Sequence, residues 1–315
     1  MTHFSRLKNV RLAGVFLLLS VSLLSGCAAQ PQLSAAAEAQ LPKQSYIPNV
    51  PFYSQRDFQC GPASLAMALG ASGQQVSVDT LIPQVFLPSR EGSVQPEMLA
   101  TVRRHQRISY PLDGSFDALL SEVDAGHPVV VLQNLGLSFA PMWHYAVVIG
   151  YDQEAQQLRL HSGEQSHSLI SMSRFNATWA RSQHWAMVVL APGQLPVSVS
   201  ETAAADSIAA FEKVAEAKAA LPAWQAVTER WPNYALGWFA LGNALHSDGQ
   251  PNAAAEAFKQ ATQVDNTLAA AWLNLGLTQQ GLGEMQAARA SLEKAAALPG
   301  KWQAQAKQAL ANSQP

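Results

Sequence analysis

A 34-residue period is the strongest constraint in this chain. Trp238, Leu241, Gly242, Ala254, Phe258 and Ala261 recur 34 positions later as Trp272, Leu275, Gly276, Ala288, Leu292 and Ala295. A step back of 34 gives Ala220, Trp224, Val227 and Pro232, a weaker copy of the second half alone. Large and small residues keep their places at one fixed spacing, which plain Ala-rich helices have no reason to do. Such a period means stacked supersecondary units, none of which buries its apolar face alone, and about three are needed for a continuous core. The chain from about residue 201 to 302 is therefore expected to be an all-helical array.

The order of these residues, W-x-x-L-G early and A-x-x-x-F late, resembles the tetratricopeptide repeat. The resemblance implies helix pairs that build a concave surface for a protein partner or for a substrate. The last copy departs from the pattern. Leu292 stands at the late aromatic position, and the closing proline is displaced to Pro299. Both changes suit a terminal, capping repeat.

Ahead of the repeats the texture is mixed. "CGPASLAMALG" reads as a short helix opened near Pro62 and closed by Gly70. "SVQPEMLATVRRH" and "SFDALLSEVDAG" also read as helices. "PVVVLQN", "HYAVVIGYD", "QLRLHSG" and "HWAMVVLAP" read as strands, rich in Val, Ile and Leu and bounded by Gly, Pro or Asp. Helices precede the strands without βαβ alternation, so the class is α+β. "PGQLPVSVSETAAAD" reads as a linker. The expected organisation is a signal segment over 1–26, a flexible tether over 27–45, a mixed domain over 46–195, a linker over 196–203 and the repeats over 204–312.

The N-terminus carries Arg6, Lys8 and Arg11, then the apolar run Leu12 to Leu24, too short for a comfortable membrane span but suited to a signal-peptide core. The run ends in "LSGC", Leu24 to Cys27, which resembles a bacterial lipobox; an ordinary signal peptide with a fortuitous Cys is the alternative. Cleavage before Cys27 removes three positive charges and no negative ones, so the net charge goes from −2 to −5. The resemblance implies lipid on Cys27 and a membrane anchor. Ala28 in the next position, rather than Asp, resembles sorting to the outer membrane, facing the periplasm. "AAQPQLSAAAEAQLPKQS", residues 28 to 45, reads as the tether.

Only two cysteines are present, so lipid on Cys27 leaves Cys60 alone, with no internal disulfide available. A leftover thiol in an exported chain is either a buried small hydrophobe or a reactive group. Cys60 precedes Gly-Pro and a short helix, which places its sulfur near the helix N-terminus. Free N–H groups there favour an anion, and a thiol pKa is expected to fall below its usual value of about 8.5. A Cys nucleophile needs a base. His144, at the start of the apolar strand "HYAVVIGYD", is the candidate, against the alternative of a merely packed strand-end His. His105 sits at a helix end, His127 in a turn, His161 and His167 flank a hairpin turn, and His184 begins the last strand.

"VPFYSQRDFQCGPASLAM" followed by "HYAVVIGYD" resembles the bacteriocin-leader-processing cysteine peptidases, papain-like domains that typically cut after a double glycine. The resemblance spans residues 46 to 195 and implies an antiparallel sheet behind N-terminal helices. It implies Cys60 as nucleophile, His144 as general base and then acid, and Gln55 with the Cys60 N–H as oxyanion donors. Gln55 lies five residues before Cys60, where six is usual; Gln59 is too close to serve. The family's third residue, an Asp before Pro, is replaced by Ser162-Gly163. Ser162 can accept a hydrogen bond from the imidazole but brings no charge. Asp152 is eight residues along the strand, and His161 faces away if Ser162 faces inward.

The expected function is a membrane-anchored cysteine peptidase acting on a peptide or protein through a Cys60 thioester. The alternatives are a weakened peptidase-like scaffold and a cysteine endopeptidase or amidase acting on cell-wall peptides. No HExxH, thiolate cluster or phosphate loop occurs, so neither metal nor cofactor is expected. Charge is low, 13% of residues, with no basic patch, so nucleic acid is not an expected partner.

Overall fold

The computed structural model describes residues 31–55, 59–90 and 92–312. The signal-like segment and Cys27 lie outside the described residues. A helix α1, Ala35–Gln40, and a strand β1, Gln44–Tyr46, come first. They correct the expectation of a flexible tether reaching residue 45. Ser34 caps α1, its hydroxyl accepting from the Ala37 N–H at 3.2 Å, while its own N–H donates to the Asp117 carboxylate at 3.0 Å. Backbone pairing of Gln44 opposite Asp152 fixes β1. Composition is blind to such ladder partners, which any sequence can supply.

Helix α2, Cys60–Ala71, is buried at every position from Gly61 to Leu69, so it is an interior helix rather than a surface one. Pro62 lies in its first turn, where a missing N–H costs nothing. The helix continues past Gly70, and the left-handed turn falls at Gly73 (φ +84°). Gly70 is small because a Cβ there would lie 2.7 Å from the Pro51 ring.

Helix α3, Val78–Val85, leads to a small hairpin of β2, Phe86–Leu87, and β3, Gly92–Ser93. Helix α4, Gln95–Arg104, strand β4, Ile108–Pro111, and helix α5, Phe116–Asp124, follow. Then come β5, Val129–Asn134; β6, Trp143–Asp152; β7, Gln157–Ser162; β8, Gln165–Ser171; helix α6, Met172–Trp179; and β9, Ala186–Leu190. The sheet order is β4-β9-β5-β6-β7-β8, with β1 also on β6, and every pairing is antiparallel. β5, β9 and Tyr145–Tyr151 of β6 are buried at every position, which is why they read as unbroken apolar runs. β4 and β8, the edges, were not legible in that way; β8 is mostly polar and exposed.

The helical array consists of α7, Glu201–Glu212; α8, Ala217–Arg230; α9, Ala235–Ser247; α10, Pro251–Val264; α11, Ala269–Gly281; α12, Met285–Ala297; and α13, Gln303–Ala311. The period has a direct packing cause. A Cβ on Gly242 would fall 2.5 Å from the Phe258 ring, and one on Gly276 would fall 2.7 Å from Leu292. The paired helices touch through these glycines. The Trp238 indole donates to the Pro232 carbonyl at 2.8 Å and the Trp272 indole to Asn266 at 2.9 Å, again 34 residues apart. Helix α13 closes the end, with Ala306 packed among Leu273, Leu292 and Ala295.

Helix α7 packs on the edge strand β4, so one apolar core runs from the sheet into the first helices and covers an otherwise open edge. The connecting segment is pinned. Both the N–H and the hydroxyl of Ser198 donate to the buried Glu122 carboxylate, at 2.7 and 2.6 Å. The Arg230 guanidinium donates to the carbonyls of Pro196 and Val197.

Candidate active site

Three separate elements meet at one cleft of about 740 Å³, whose lining includes Gln55, Cys60, Ser93, Trp143, His144 and Gly163. Cys60 is the first residue of α2, with no side-chain cap from Gln59. His144 is the second residue of β6. Ser162 ends β7, the neighbouring strand, and its Oγ lies 2.8 Å from His144 Nε2. The β7–β8 turn is made by Gly163, at φ +61°, whose carbonyl accepts the Gln55 N–H at 3.1 Å. The turn after Ser162 therefore also holds the loop that carries Gln55.

Gln55 is 7% exposed, and neither its Oε1 nor its Nε2 has a partner among the described residues. Leaving a buried amide unpaired costs on the order of 1–3 kcal/mol, so such a group calls for an explanation. A donor held in wait for a ligand oxygen is one.

The Cys60 sulfur is close to the backbone N–H of Tyr145, the residue after His144. Burial pushes the thiol above its ordinary range; the N–H groups of Tyr145, Gly61 and Cys60 itself pull the other way and lose. The expectation of a depressed thiol is thereby corrected. The helix N-terminus does present its donors, but removal from water outweighs them. Burial likewise pushes the His144 imidazole down. Sulfur and imidazole are both neutral near pH 7, and no direct hydrogen bond joins them. With Nε2 engaged by Ser162, Nδ1 is the ring nitrogen left for Cys60.

The other polar candidates lie elsewhere. His161 is 1% exposed, bonded to the Val50 carbonyl and the His167 N–H. Asp152 accepts from Gln44, at the far end of β6. His127 pairs with Glu122, and His105 and His184 bond Gln84 and Asn176. Two residues had no signal in the sequence. The Tyr145 phenol donates to the Ser93 carbonyl, and the Ser93 Oγ is buried without a partner among the described residues, packed where a Cβ on Gly61 would sit. Ser93 arrives from a hairpin whose sequence reads only as a loop.

Residues 47–187 match the Peptidase_C39 like family. This stretch is a Peptidase C39-like domain. A TPR repeat matches at 242–283 and a Tetratricopeptide repeat at 269–300, so the peptidase-like domain is followed by a repeat region of the protein-interaction type. No curated protein matches the chain. Among solved structures, the helical part is similar to the Sgt2 TPR domain from Aspergillus fumigatus, at 23% identity over 36% of this chain and 76% of that one, with a TM-score of 0.33. It is similar to the TPR2B domain of yeast Sti1 in a pHsp70 complex, at 17% over 36% and 94%, with a TM-score of 0.34. It is also similar to MamA from Desulfovibrio magneticus RS-1, at 26% over 31% and 55%, with a TM-score of 0.29. No helix among the described residues is long and apolar enough to cross a membrane.

Proposed function

We propose that the chain is a cysteine peptidase that cuts a peptide or protein substrate through a Cys60 thioester. The observation that carries this reading is the convergence of Cys60, the His144–Ser162 pair and the unpaired Gln55 amide on one cleft. The resting pair is neutral, so attack begins with transfer of the Cys60 proton to His144 Nδ1 as the sulfur bonds to the substrate carbonyl carbon. The carbonyl oxygen becomes an oxyanion that accepts from Gln55 Nε2 and the Cys60 N–H, a type of donation worth roughly 3–4 kcal/mol per donor. The imidazolium returns its proton to the leaving amine as the C–N bond breaks. Water, deprotonated by His144, then attacks the thioester and releases a carboxylic acid and the free thiol. Ser162 orients the ring.

In this reading Cys27 carries lipid that holds the protein at the cell envelope, on the periplasmic face of the outer membrane, and the repeats recruit a protein partner or the substrate. Digestion of a diverse peptide library tests the core of it. Products present with wild type and missing with Cys60→Ala are expected; identical product sets would sink it. A second reading, a peptidase-like binding module without turnover, is favoured by the raised thiol and by a hydroxyl standing where a carboxylate is usual. Stoichiometric peptide binding without any Cys60-dependent product would select it.

A further inference from the structure

The Cys60 cleft continues beyond His144. The chain leading into β6 is a hairpin, "LGLSFAPMW" over residues 135–143, with no charged side chain. Leu135, Leu137, Phe139, Met142 and Trp143 are all exposed, Phe139 by 86% and Trp143 by 52%. Contiguous exposed apolar surface of this kind marks an interaction site. The hairpin is built, not loose. Asn134 Oδ1 accepts from the N–H groups of Gly136 and Met142 at 3.0 and 2.9 Å, and Leu137 and Ala140 exchange backbone hydrogen bonds at 3.1 Å. A Cβ on Gly136 would lie 2.4 Å from the Ala140 carbonyl oxygen, so only glycine closes this turn. Arg181 Nε donates to the Asn134 carbonyl at 3.0 Å from below. A surface held in advance loses little entropy on binding. Met142 and Trp143 also line the cleft that holds Cys60, which makes groove and patch one surface.

We infer that this hairpin is the subsite for a bulky apolar side chain of the substrate on the C-terminal side of the scissile bond; the inference rests on the peptidase reading. In that mechanism His144 protonates the leaving amine, so the amine and the residues after it depart past the imidazole. Trp143 and Met142 immediately precede His144, and the leaving half of the substrate meets them first. A bilayer is the weaker occupant. The described chain enters through α1 and β1, and β1 pairs beside Asp152, at the opposite end of β6. For a strand of 10 residues that is roughly 30 Å away.

The test is a peptide-library digest read by mass spectrometry for the residues that follow each Cys60-dependent cut. Leu, Ile, Met and Phe just after the cut are expected at about tenfold over Ser and Asp, the low end for one apolar side chain. In a Phe139→Ser, Met142→Ser double variant, whose thermal midpoint checks the fold, that enrichment falls to about one. Preferences before the cut stay as they are. Cleavage by wild type without the enrichment, or enrichment that survives in the variant, overturns this inference and leaves the peptidase reading standing. Absence of any Cys60-dependent product overturns both. Loss of co-sedimentation with phosphatidylglycerol–phosphatidylethanolamine vesicles, or of self-association, in a variant whose cleavage preference is unchanged reassigns the patch and overturns the subsite.

Discussion

Replacing Gln55 by Met separates a waiting donor from a structural amide. The side chain is 7% exposed, and both amide atoms lack partners among the described residues, while the backbone N–H holds Gly163 regardless of what the side chain is. Methionine keeps the volume and removes the two orphans. An unpaired buried amide costs about 1–3 kcal/mol as a whole, so Gln55→Met is expected to stabilise the fold by about 1–2 kcal/mol after small packing losses. For an unfolding unit of this size that is a rise of roughly 2–8 °C in Tm. Turnover moves the opposite way, because one oxyanion donor is worth about 10²–10³ in kcat. The paired assay is thermal unfolding beside peptide hydrolysis on the same preparations. A drop in Tm with unchanged kcat would refute the reasoning, since it would mean the amide serves the fold and not a transition state.

Three further outcomes follow from the same geometry. Iodoacetamide labelling of Cys60 is expected to keep climbing through pH 8.5 and beyond, the ordinary thiol value being about 8.5 and burial raising it. A plateau already reached at pH 6, and lost in His144→Ala, would show a preformed ion pair instead. Ser162→Asp puts a carboxylate where Oγ lies 2.8 Å from His144 Nε2. An opposite charge at that range raises the imidazole pKa and favours thiolate, so labelling shifts to lower pH; an unmoved profile counts against the contact. Gly242→Ala drives a Cβ to 2.5 Å from Phe258. Overpacking of about 1–3 kcal/mol exceeds a helix-propensity gain of about 1, and an unchanged or higher Tm would contradict the packing.

What the sequence made legible depends on how local each cause is. The repeats could be read because the Gly242–Phe258 and Gly276–Leu292 contacts impose the same size rule twice at one spacing. The central strands could be read because burial on both faces demands unbroken apolar runs. The pairing of β1 with β6 could not, since Gln44–Tyr46 contributes backbone groups that leave no mark in side-chain pattern. Gln55 was identifiable only through its likeness to a family, and the partnerless state of its amide is a tertiary fact. The thiol was misjudged for a similar reason. A helix start is visible in "QCGP", whereas the burial that outweighs it arises only once distant segments close over the helix start.

Ser162 changes more than the charge at the third position. An ionised carboxylate only accepts, so it forces Nε2 of its histidine to carry the proton and leaves Nδ1 open as a base. A hydroxyl both donates and accepts. In this site Ser162 Oγ has no second partner among the described residues to fix its own proton. Two tautomers of His144 therefore compete, and only the one with Nε2–H donating to Ser162 can take the Cys60 proton. The same hydroxyl adds no charge to hold imidazolium, and burial already disfavours it. Both effects act wherever His144 takes up a proton, from Cys60 in acylation and from water in hydrolysis of the thioester, and they leave the oxyanion donors untouched. In the peptidase reading, acylation and hydrolysis of the thioester are therefore both expected to be slow, while the contribution of Gln55 to each tetrahedral intermediate is unchanged.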